Sequence, residues 1–229
     1  MYAGLPTVSL AVQGNVANRL GGTLGYLSEV IHAFELAFQA ELTRKIENEI
    51  LSPFGIDRAT FLRRGRAWFG DDHFGRLLYQ INAEKLETEF LVAGFEPHGQ
   101  AHVFSVHDPG VSVIHDAVGF YAIGAGQTMA LGSLFAAYDA DLKVNEMVYR
   151  ICEAKFAGES ALGVGKKTFL EMMTPDGRCK ALRPEQVERL RPVWEQEKRP
   201  PPSKAIEIID AELHEIVWHP EGSTKAKSA

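Results

Sequence analysis

Cysteine is scarce in this chain: 229 residues hold two, Cys152 and Cys179, and neither lies in a CxxC pair or beside a cluster of histidines. That usage argues against a disulfide framework and a structural zinc site, and it points to a reducing, cytoplasmic compartment. Basic charge is also short. The 24 Lys and Arg residues stand against 30 Asp and Glu, for a formal charge of −6. Neither nucleic acid nor an anionic membrane would find the electropositive surface it rewards. The opening MYAGLPTVSLAVQGNVANRL lacks the basic n-region and compact apolar block of a signal peptide. No internal repeat runs along the chain.

Charge is missing altogether from Ala117 to Tyr138, a run long enough to cross a bilayer. Its composition argues against a span. Gly119, Gly124, Gly126 and Gly132 interrupt it together with Gln127, Thr128 and Ser133, and Asp116, Asp139 and Asp141 flank it with no basic anchor. The GAG of 124–126 evokes a dinucleotide loop, but Met129 stands where the third glycine is needed and no βαβ unit surrounds it. GVGKKT (163–168) fails as a phosphate loop because Ser160 and Lys167 occupy the positions that require Gly and Ser or Thr. A buried strand, a tight turn and a buried helix account for the run.

With 45% hydrophobic and 24% charged residues, the chain can bury a core as one domain or two small ones. Apolar residues at Leu27, Val30, Ile31, Phe34 and Phe38 predict a long helix that persists toward Ile50. A short helix is expected over 57–63, and another, capped by Asp71 or Asp72, with Phe74, Leu77, Leu78 and Ile81 on one face. From Glu89 the pattern becomes four short apolar runs, EFLVAGF, AHVFSV, VSVI and GFYAIG, punctuated by Pro/Gly turns, which predicts an antiparallel meander. Two helices follow, one with Leu131, Leu134, Phe135 and Tyr138, the next with Val144, Met147, Val148 and Ile151. KKTFLEMM (166–173) reads as a strand, PEQVERLRPVWEQE as a polar helix, RPPPSK as a linker, AIEIIDAELHEIVWH as strand or edge material, and EGSTKAKSA as a tail. Such alternation predicts an α+β layered fold.

Few side chains offer chemistry. His98, His102, His107 and His115 gather in the meander, but the HxxxH spacing straddles a turn, so they read as turn and strand-edge histidines rather than metal ligands. No GxSxG elbow is present. No metal or other cofactor is expected.

Taken together, FLVAGFEPHGQAHVFSVHDPG and GFYAIGAGQTMALGSLFAAYDADLKVNEMVYRICEAKFAGESALG resemble the proteasome-type family of N-terminal nucleophile hydrolases. The likeness runs from about Tyr2 to Gly177 and is densest over 90–163. AIGAGQTMA, AAYDADL and ESALG stand where the family has a G-S-G turn into a helix, a helix break, and a D-x-x-S-G segment. The resemblance implies a four-layer αββα sandwich over 1–198, with 199–229 as linker, edge segment and tail. It also implies a role in intracellular proteolysis and a homo-oligomeric ring, with peptide or protein as substrate if active. In the family's peptidases a free N-terminal amine activates a threonine hydroxyl beside a lysine. Here those two strands would precede YAGL, Thr7 falls after it, and the first lysine is Lys45. Gly124, Ala125 and Gly126 would form the turn, with Ala125 replacing its serine. Glu159 would replace the aspartate as the remaining candidate supporting residue, and Leu162 the second serine. Neither Ala125 nor Leu162 can hydrogen-bond through its side chain, so the chain is expected to be catalytically incompetent as it stands, and a threonine-type peptidase only if an upstream segment supplies the threonine and the lysine. The alternative is a noncatalytic structural ring subunit.

Overall fold

The computed structural model describes residues 2–3, 12–13, 26–139, 141–197 and 202–214. The expected tail EGSTKAKSA lies outside them. The chain divides into two compact units, Met1–Val92 with Phe104–Ile114, and Ala93–Val103 with His115–Ala229.

In the first unit the stripe predicted from Leu27 forms α1 (Leu27–Ile46). It passes into a π turn over Glu47–Leu51 and a 3₁₀ turn over Ser52–Phe54. The apolar stripe of α1 packs on a four-stranded sheet of order β1-β2-β3-β4, comprising Tyr2–Ala3, Glu89–Phe95, Ala101–His107 and Val111–Ile114. Phe34 sits with its ring 5.7 Å from that of Phe90 and 5.9 Å from that of Phe104, and Phe38 meets Phe90 edge-on. Small residues Ala33 and Ala37 are buried along the same helix. Strand β1 is antiparallel to β2, with Tyr2 opposite Phe90, and β3 is antiparallel to β4, with Phe104 opposite Ile114. The alternation of β3 buries His102, Phe104 and Val106.

The two helices expected around 57–81 join as one element, α2 (Arg58–Ala83), kinked where Gly70 adopts φ 73° and ψ 166°. Asp57 caps its start by accepting the Thr60 N–H at 2.6 Å. Asp71 instead pairs with Arg66 across the kink at 3.0 Å. The chain then enters β2 through Glu87, whose φ is 53°. The Asp108 carboxylate holds this entry by accepting the Leu86 and Glu87 N–H groups at 2.8 and 2.9 Å.

The second unit contains α3 (Gln127–Ala137), α4 (Val144–Gly158), the hairpin β5–β6 (Leu170–Met173 and Cys179–Leu182), α5 (Pro184–Glu188), α6 (Arg191–Glu197) and α7 (Pro202–His214). Its core gathers Val148, Tyr149, Cys152 and Phe156 of α4 with Leu170, Leu182, Val187, Leu190 and Ile209.

Four expectations are corrected here. GFYAIG is not a strand: Phe120 packs its ring on Phe135 and Tyr138, so the run is held by α3 and the residue after it instead of a ladder. KKTFLEMM is strand only from Leu170, and it pairs with Cys179–Leu182, which was not foreseen. PEQVERLRPVWEQE forms two short helices, α5 and α6. The supposed edge material after 202 is helical α7, because Ile206 and Ile209 recur at helical spacing, and Ile209 is buried. The α+β class is as expected. Among the described residues no helix is long and apolar enough to cross a membrane, and α3, within the charge-free run, has 11 residues.

Because Phe90 is 2% exposed and bridges α1 to the sheet, Phe90→Ala is expected to destabilise the protein by about 3–5 kcal/mol. Urea unfolding checks this through a lowered midpoint at unchanged slope.

Candidate functional site

Three of the residues singled out by sequence meet in the second unit. Gly124, with φ 90°, turns the chain, and Gly126 begins α3. Gly126 lies against Gly158 at the end of α4 so closely that a Cβ built on it would sit 2.6 Å from the Gly158 carbonyl oxygen. Only glycine permits this approach. It brings Glu159, the next residue of that segment, to the side of the GAG turn. Ala125 between the two glycines is exposed.

The Glu159 side chain is buried and both of its oxygens are ion-paired. Lys155 Nζ donates to it at 2.6 Å, and Arg191 reaches both of its oxygens at 2.8 and 3.1 Å. Lys155 also donates to the Gly165 carbonyl at 2.7 Å, and Arg191 lies 4.4 Å over the Phe156 ring while pairing with Glu188. Burial alone would raise the Glu159 pKa. The hydrogen bonds from Arg191 and Lys155 outweigh it and hold the carboxyl below its ordinary range. Glu159 thus ties α4 to the following loop and to α6. Leu162 points into solvent, 98% exposed.

A second constellation was missed from sequence. His102, on the hairpin formed by β2 and β3, is buried, with Nδ1 2.6 Å from Asp116. Asp116 also accepts the Val103 N–H at 2.8 Å. Burial works against the charged Asp116, but the Val103 N–H and His102 together hold its pKa down. His102 Nε2 is buried without a hydrogen-bond partner, 3.8 Å from the Glu96 carboxylate. The earlier view of His102 as a strand-edge residue is corrected: strand alternation puts it on the inner face. His115 stacks flat on Tyr121, with centroids 3.7 Å apart, and the Tyr121 hydroxyl accepts a bond from Gln127 in the first turn of α3. A chain of contacts therefore leads from the hairpin to the GAG turn. The available signal was the pairing of HD at 115–116 with a histidine one hairpin strand earlier, a relation that needs the register to be seen.

Chemically these groups hold and orient. Among the described residues, no group of three or more His, Cys, Asp or Glu is arranged to hold a metal ion. The Cys152 thiol is pushed by burial up to about 12, so it stays protonated and inert as a nucleophile.

No protein-family model matches this chain, and no curated protein matches it. Solved structures do. One is the Anbu (Gly-1) mutant from Hyphomicrobium sp. strain MC1, at 14% identity and a TM-score of 0.60, over 86% of this chain and 74% of that one. At this identity the likeness shows a shared fold. The placement of the chain in the proteasome-type family on its motifs is therefore corrected: no family model recognises it, and the motif positions do not behave as that placement requires. GFYAIG forms no strand, Ala125 and Leu162 are exposed, and Glu159 is consumed in ion pairs.

Gly126→Ala is expected to cost roughly 1–3 kcal/mol through overpacking. Gly132→Ala, where a Cβ meets nothing within 4 Å, should be neutral or stabilise by up to about 1 kcal/mol; thermal unfolding of the pair separates the two. Breaking the Glu159 network with Glu159→Ala should cost roughly 3 kcal/mol at neutral pH. Because its folded pKa is depressed, Glu159 contributes above the ordinary carboxylate pKa, and that contribution fades as pH falls through the lower folded value. Wild type and Glu159→Gln should accordingly converge in stability in acid, as measured by urea unfolding across pH.

Proposed function

We propose that this chain is a non-hydrolytic, proteolysis-related subunit that works inside the cell and associates with copies of itself. The observation that carries the proposal is the state of Ala125, Glu159 and Leu162. Ala125 and Leu162 offer no hydroxyl, and Glu159 is spent on Lys155 and Arg191. Its three hydrogen bonds from Lys155 and Arg191 commit both carboxylate oxygens to ion pairing. The likeness in fold to Anbu supports a place near protein degradation, and it also favours the four-layer αββα arrangement as the complete architecture. Self-association is supported by exposed apolar side chains on α3, Met129 and Phe135, which favour burial against another surface.

The purified chain is expected to leave fluorogenic tri- and tetrapeptides uncleaved. Native mass spectrometry of the same sample should show a closed oligomer. Peptide turnover that persists in a nucleophile-reactive inhibitor's absence and vanishes in its presence would refute the non-hydrolytic part. A mass spectrum of monomer alone, at all concentrations tested, would refute the assembly.

A further inference from the structure

Strand β5 has one partner, β6, among the described residues. A cavity of about 550 Å³ is lined by β5 and Thr174 after it, by Lys180 of β6 and by the stripe Val144, Met147 and Ile151 of α4. All five consecutive residues from Leu170 to Thr174 line this cavity, although successive side chains of a strand point to opposite faces. Ladder parity explains it. Thr174 donates its N–H to the Arg178 carbonyl at 2.9 Å, closing a three-residue PDG loop in which Gly177 takes φ 78°. The pair 174–178 is thus a hydrogen-bonded one, and antiparallel pairs alternate. Met172 with Lys180 and Leu170 with Leu182 are then bonded pairs too. Glu171 and Met173 aim their backbone N–H and C=O groups away from β6, into the cavity.

We infer that the cleft between β5 and α4 binds an extended peptide that adds a strand to β5, with apolar side chains at alternate positions and a basic residue between them. The backbone supplies the ladder. The inner face, with Leu170 buried and Met172 half-buried, receives apolar side chains against Val144, Met147 and Ile151. Methionine adapts its shape to different occupants. The side chain of Glu171 is exposed on the opposite face. A residue directly across from it in the added strand shares that face, where opposite charge is favoured and like charge disfavoured. That charge match selects an apolar-basic-apolar strand over its acidic counterpart.

The test uses the full chain and a fluorescein-labelled hexapeptide of alternating valine and lysine, followed by fluorescence anisotropy and by residue-resolved amide exchange. The peptide should bind at least tenfold more tightly than its valine-glutamate counterpart, and N-methylation of its backbone should abolish binding. The Glu171 and Met173 amides should exchange more slowly when it binds, with Met172 unchanged. Glu171→Lys, at an exposed position that leaves the fold intact, should invert the charge preference. Equal binding of both peptides, insensitivity to N-methylation, or protection that spares Glu171 and Met173 would overturn the inference. So would protection of those two amides in concentrated protein without peptide that disappears on dilution, because a second copy would then be the occupant.

Discussion

The second unit depends on one close approach, the backbone of Gly126 against that of Gly158. Two helices cannot be brought this near with a side chain between them, and everything around the crossing inherits the constraint. It sets Glu159 immediately beyond the crossing point, within reach of a lysine on its own helix and an arginine on α6. It also places the first turn of α3 so that Gln127 can bond to Tyr121, and through the His115 stack the same frame extends to the hairpin. Steric permission comes first here, and the electrostatics follow from it.

The two polar constellations differ in how completely they are satisfied. Around Glu159 every charge has a partner, and the dense pairing pins the end of α4 to the loop that follows and to α6. Around His102 one ring nitrogen is anchored and the other is buried beside a carboxylate without a hydrogen bond. A half-satisfied buried imidazole is costly in a low-dielectric interior.

Legibility in the sequence followed the reach of the signals. The stripe Leu27, Val30, Ile31, Phe34, Phe38 is local and strongly periodic, and it yields α1 directly. The Pro/Gly-punctuated runs from Glu89 yield β2, β3 and β4 for the same reason. GFYAIG was misjudged because apolar content alone does not reveal whether a run finds a strand or an aromatic helix face, and Phe120 found the latter. AIEIIDAELH was misjudged because β-branched isoleucines favour strands intrinsically, while their spacing and the tertiary partner of Ile209 favour a helix. At the site, the importance of Gly126 and Glu159 was visible as motif positions. Their roles were not, since the cations that occupy Glu159 come partly from Arg191, 32 residues away. The His102–Asp116 contact depends on strand register, which no single segment encodes.

The two cysteines, one sealed in the core of α4 and one exposed at the start of β6, make the protein its own stopwatch. A thiol reagent meets Cys179 at once, whereas Cys152 waits for the second unit to open. The lag between the two modifications therefore times the spontaneous unfolding of that unit under native conditions, with no label introduced and no residue changed.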